Sequence, residues 1–133
     1  MMNKGGLLAA VIVVGYLGFE VHTVQKARYR MEAPYIFSQF VVANSAVVTC
    51  RQAKGAQYEK FLANFERVRA RAVKELGEAH PDADAQDIDR MLRERVRDNE
   101  LAASNLIDEK GCDDIEVWKK LRQFENFARL NLG

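Results

Sequence analysis

The sequence predicts an all-α protein in which a single N-terminal transmembrane helix precedes a small bundle of about four helices. Three observations carry that prediction. From Gly5 to Val24 the chain reads GGLLAAVIVVGYLGFEVHTV, with no charge before Glu20. Beyond it, apolar residues recur in steps of three and four, and Gly55, Gly77, Pro81 and Gly111 punctuate the pattern. A hydrophobic content of 48% with only two Pro and eight Gly in 133 residues excludes both a disordered chain and a loop-rich disulfide scaffold. The expected division is residues 1–30 as anchor with its basic flank and residues 31–133 as the helical bundle.

A helix of about 20 residues just crosses a hydrocarbon core of roughly 30 Å, and Gly5–Val24 has that length. Glu20 and His22 then fall in the headgroup zone, followed by Lys26, Arg28 and Arg30, whose long side chains reach phosphate. Gly5, Gly6, Ala9, Ala10, Gly15 and Gly18 are small enough for close helix approach in lipid and form the expected packing surface. The competing readings are a cleaved secretory signal and a buried helix of a soluble protein. Cleavage requires small residues before the cut, and the best junction, Val13-Val14-Gly15, is poor. An uncleaved anchor is the expectation.

Pro34 suits the first turn of a helix within Met31–Lys54, since its missing N–H has no partner there to lose. Ile36, Phe37, Phe40, Val41, Ala43, Val47, Val48 and Cys50 give this helix a broad apolar face. That face marks the central helix of the bundle. Its alternative use is docking to a partner through Ile36, Phe37, Phe40, Val41, Val47 and Val48. A second helix, Ala56–Leu76, carries Tyr58, Phe61, Leu62, Phe65, Val68, Ala72 and Leu76 in a near-heptad stripe, with Gly77 as its stop.

Glu78–Asp84 reads as a loop around Pro81, with Asp84 capping a third helix. Asp82, Asp84, Asp87 and Asp89 resemble the start of a calcium loop, but Asp87 stands where Gly is required and Arg93 where the bidentate Glu belongs. Acidic residues at a helix N-terminus account for them without a metal. Ile88, Met91, Leu92, Val96, Ala103 and Leu106 continue the stripe, and Asp98-Asn99-Glu100 predicts a kink or break. Lys110-Gly111 ends the helix. Asp113 and Glu116 have capping-box spacing for a last helix, Asp114 to about Leu130, whose expected buried stripe is Val117, Trp118, Leu121, Phe124 and Ala128.

Charge alternates in blocks: residues 51–76 net +4, 77–98 net −3, 99–116 net −5 and 117–133 net +3. Such alternation fits pairing between neighbouring helices and argues against nucleic-acid binding, which gathers one sign on one face. No multi-histidine zinc set, Cys-x-x-Cys pair, nucleophile elbow or phosphate loop occurs, so neither an enzyme nor a cofactor nor a small-molecule substrate is expected.

Cys50 and Cys112 are the only cysteines, and an even pair behind an export-type segment predicts one disulfide. The signals for topology conflict. Three basic residues follow the apolar run and only Lys4 precedes it, which favours a cytoplasmic bundle, whereas the cysteines favour an oxidising compartment. The expectation is an exported domain, periplasmic or extracellular, on a membrane accessory subunit whose partners are the bilayer and a larger membrane complex. The alternative is an exported soluble binding or inhibitor protein released by cleavage.

Overall fold

A computed structural model describes residues 32–132, which form four helices. These are α1 (Glu32–Cys50), α2 (Ala56–Ala79), α3 (Ala85–Lys110) and α4 (Ile115–Arg129). The expected all-α class and helix number hold. Gly5–Val24, with the packing surface Gly5, Gly6, Ala9, Ala10, Gly15 and Gly18, lies outside the described residues.

The first two helices run antiparallel, as named contacts establish. Near the start of α1, the Ala33 N–H donates to Glu75 Oε1 near the end of α2 at 3.1 Å. Farther along α1, Asn44 accepts from the Tyr58 hydroxyl, near the start of α2, at 2.7 Å. On the third helix, Arg95 donates to Ser38 Oγ at 3.1 Å, and the last helix brings Phe127 against Phe40. Glu75 therefore supplies one of the free amides at the start of α1 with an acceptor and places a carboxylate at the positive end of its dipole.

α1 is the helix the others surround. Ala33, Pro34, Phe37, Ser38, Phe40, Val41, Ala43, Ala46 and Val47 are buried, and at 100° per residue they cover about 280° of its circumference. Its inward partners are aromatic. Phe40 is fully buried and stacks on Phe127 with centroids 4.0 Å apart, and it also meets Phe61 at 5.2 Å and Phe65 at 5.4 Å. Such offset and stacked rings add stabilisation beyond their buried area. Val68, Ala72 and Leu76 from α2, Ile88, Leu92 and Ile107 from α3, and Val117, Leu121 and Ala128 from α4 complete the core.

The breaks between helices follow local chemistry. Gly55 adopts φ +95°, in the left-handed region that favours glycine, and opens α2. Gly77, expected to stop that helix, is inside it. The helix continues through it to Ala79, with the His80 N–H donating to the Leu76 carbonyl at 2.9 Å, and it stops where Pro81 removes the next donor and restricts His80.

Asp84 caps α3 as expected, and the cap is reciprocal. The Asp87 N–H donates to Asp84 Oδ1 at 2.9 Å, while the Asp84 N–H donates to Asp87 Oδ2 at 3.1 Å. α3 then runs unbroken through Asp98-Asn99-Glu100, against expectation. Those residues lie on its wetter side, and Asn99 donates to the Arg95 carbonyl at 2.7 Å, so the polar run does not interrupt the ladder. Gly111 closes it at φ +86°. The cap of α4 is Asp114, one residue later than the spacing of Asp113 and Glu116 suggests, and Asp114 accepts from the Glu116 N–H at 2.8 Å.

Candidate functional site

The best-defined chemical feature is the Cys50–Cys112 disulfide. Cys50 ends α1 and Cys112 lies in the turn between α3 and α4, with Cα atoms 5.6 Å apart. Both helices that intervene in the chain are closed into a loop of sequence separation 62. The covalent bond therefore fixes the far end of α1 to the α3–α4 turn, at the opposite end of the bundle from the Ala33–Glu75 contact. The predicted pairing is the one found.

The proposed docking face on α1 is not a surface. Phe37, Phe40, Val41 and Val47 are buried in the core, Ile36 packs against it, and of the six only Val48, 56% exposed, is open. The physical reason is the aromatic cluster, because Phe61, Phe65 and Phe127 occupy the space a partner would need. The C-terminal residues divide similarly: Phe124 and Phe127 face inward while Leu130 and Leu132 are exposed.

Trp118 corrects the expected stripe of α4. Val117, Leu121, Phe124 and Ala128 are buried, but Trp118 is 45% exposed, with the Arg122 guanidinium 5.3 Å from its ring centroid. It sits about 90° around the helix from the centre of the buried stripe, at the margin where the side chains turn from core to water.

Two polar arrangements escaped sequence reasoning. Asn64 is fully buried on α2 and donates to the carbonyls of Phe127 at 2.9 Å and Leu130 at 3.0 Å, closing the end of α4, while its Oδ1 has no partner among the described residues. A polar residue within the otherwise apolar 61, 64, 68, 72 stripe was the available signal. Arg95 reaches across to Ser38, whose hydroxyl donates to the Pro34 carbonyl at 3.3 Å; nothing in the spacing of either helix announces that pair.

The acidic run at the start of α3 works as helix chemistry. Asp87 has its carboxyl held below the ordinary range, first by the Asp84 backbone N–H and then by Arg90, 2.9 Å away. Asp89 bridges Arg93 at 3.0 Å and Arg69 of α2 at 3.7 Å. The shallow open cleft here is lined by Ala85, Gln86, Asp89, Arg90 and Arg93, with charges that largely pair among themselves. Among the described residues, no group of three His, Cys, Asp or Glu side chains converges as metal ligands would.

α1 is long and apolar enough to cross a membrane, with a mean hydropathy of 1.3 over its most apolar window, and 44% of that window is buried within the bundle. No protein-family model, curated protein or solved structure matches the chain.

Proposed function

We propose that the chain is a non-enzymatic, single-pass membrane accessory subunit of a larger envelope membrane complex, acting by helix–helix contact. The observation that carries this reading is the Cys50–Cys112 bridge in a chain that also holds the apolar run Gly5–Val24. Disulfides persist in oxidising compartments, so the bridge favours an exported bundle, and a run of about 20 apolar residues favours retention in the bilayer. Gly5, Gly6, Ala9, Ala10, Gly15 and Gly18 provide the surface for other membrane helices. Turnover, a cofactor and a small-molecule substrate have no part in the proposal. A released soluble binder has less support, since the broad face it would use is occupied by the bundle's own phenylalanines.

The test is the non-reduced intact mass of the natively expressed chain before and after alkylation under denaturing conditions. Full length with no label is the expected result. A mass truncated near Gly15–Phe19 would convert the anchor into a signal, and a full-length chain labelled at both cysteines would place the bundle in the cytoplasm. Leucine at Gly15 or Gly18 should reduce co-purification of the complex, and unchanged recovery would remove that surface from the proposal.

A further inference from the structure

We propose that the outward face of α4 docks on an anionic phospholipid surface, with Trp118 as its interfacial anchor; this inference rests on the membrane-anchored reading above. Ile115, Trp118, Lys119, Arg122 and Arg129 fall within one arc of about 100° on α4, running from Trp118 on the flank of the buried stripe to Lys119 opposite it. Ile115 is 58% exposed and Trp118 45%, both large apolar groups that the bundle leaves in water.

Charge selects the occupant. The segment from residue 117 to 133 carries net +3. Within α4 the acidic side chains are engaged, Glu125 with Arg51 at 3.5 Å and Glu116 with Lys119 at 3.4 Å, while Asp113 and Asp114 lie in the turn before Ile115, Asp114 as the helix cap. Arg122 and Arg129 form no ion pair among the described residues. Arginines beside an exposed tryptophan suit the headgroup layer, where the indole ring sits with its apolar body toward the acyl chains and its N–H toward water. Guanidinium groups beside it bind lipid phosphate through paired N–H donors. The cation–π contact of Arg122 with Trp118 keeps these two groups together on the same patch.

Proximity supports the same occupant. Seven residues, Gln25–Met31, separate the apolar run from α1, and when fully extended they reach at most about 25 Å. A bundle tethered that closely meets the bilayer surface far more often than any diluted partner. Each basic side chain near an anionic surface changes partitioning about fivefold, so losing two changes the docked-to-undocked ratio about twenty-five-fold.

Trp118 is the only tryptophan, which makes the proposal directly readable. Full-length protein is reconstituted into vesicles of phosphatidylcholine alone or with phosphatidylglycerol, each with and without brominated acyl chains. Vesicle flotation reads the anchor, and Trp118 emission reads docking. Expected are flotation with both compositions, a blue-shifted and bromine-quenched Trp118 only with phosphatidylglycerol, and loss of both changes in high salt or in Arg122→Gln/Arg129→Gln. Flotation with an unquenched Trp118 in phosphatidylglycerol vesicles overturns docking and leaves the anchor standing. Quenching of equal strength in both compositions overturns the role of charge. Failure to float with either composition overturns the anchored reading and this inference with it. Shielding of Trp118 that appears only when native membrane proteins are added assigns the face to a protein and overturns the lipid.

Discussion

Reducing the Cys50–Cys112 bridge, or replacing both cysteines by serine, should destabilise the bundle chiefly through its unfolded state. Cys50 is half-buried and Cys112 exposed, so the two serines remove little packing. What changes is the denatured chain, which loses a closed loop of separation 62. The loop-entropy relation gives about 4 kcal/mol for that closure, a change of about a thousandfold in the folded-to-unfolded ratio. For a bundle of this size the loss corresponds to a fall of about 20 °C in Tm, against a typical total stability of about 5–15 kcal/mol.

The assay is urea unfolding of full-length protein in mild detergent, oxidised and reduced, followed by far-UV circular dichroism. Two signatures are expected together: a lower midpoint, and a steeper slope because the reduced denatured chain expands further and exposes more surface. Coincident oxidised and reduced curves, or a loss below about 1 kcal/mol, would refute the entropic account, since residual structure or native strain would then cancel the closure. Altered amide shifts throughout the folded, reduced protein would refute it in another way, by showing that the bridge holds the native packing itself.

Three further outcomes are expected. Phe40→Ala should cost about 3–5 kcal/mol in the same unfolding assay, because Phe40 is fully buried and stacked 4.0 Å from Phe127; a loss under 1 kcal/mol would mean the ring cluster is not the core. Asn64→Ala should cost about 2 kcal/mol and speed amide exchange in the last turn of α4, since two carbonyls lose their donors, and Asn64→Asp should be worse because an ionised carboxylate donates nothing; unchanged exchange would disconnect Asn64 from that helix end. For Asp87, whose folded pKa is depressed, the contribution to α3 capping is present above about pH 4 and is lost as pH falls through the lowered value. Its side-chain carbon resonance should therefore titrate below that of an unstructured aspartate, and a midpoint at or above the ordinary value would contradict the cap.

Much of the bundle was legible because its signals are local. Gly55, Pro81, Asp84 and Gly111 each impose a backbone or capping constraint that needs no knowledge of the tertiary fold, and they bound the helices within a few residues. Of the near-heptad stripe Tyr58, Phe61, Leu62, Phe65, Val68, Ala72 and Leu76, all but Leu62, which is 37% exposed, lie in or against the core. The failures lie where tertiary packing overrides local preference. A glycine inside a helix costs about 1 kcal/mol, and Gly77 is tolerated beside the buried Leu76. The polar triplet at Asp98 breaks nothing because buried Ala103 and Ile107 hold the next turns to the core. Trp118 was misplaced because periodicity locates a stripe but not its width; only the neighbouring helices decide which flank stays wet. The disulfide was legible by count, whereas the Asn64 and Arg95 contacts depend on two helices meeting in one register.

The same distinction governs the reading of α1 as a membrane segment. Mean hydropathy sums over every face of a helix, so it reports an apolar surrounding without saying whether that surrounding is lipid or protein. Around α1 it is protein: Phe61, Phe65 and Phe127 cover its aromatic side, and Tyr58, Glu75 and Arg95 bond to its polar groups. Moving α1 into a bilayer would return those rings to water at about 1.5–3 kcal/mol each and break polar contacts that lipid cannot replace. That total approaches the whole stability of a small domain, which makes withdrawal of α1 equivalent to unfolding α2, α3 and α4. The apolar composition of α1 is thus explained by the helices packed around it, and the single-pass reading proposed above rests on Gly5–Val24 instead.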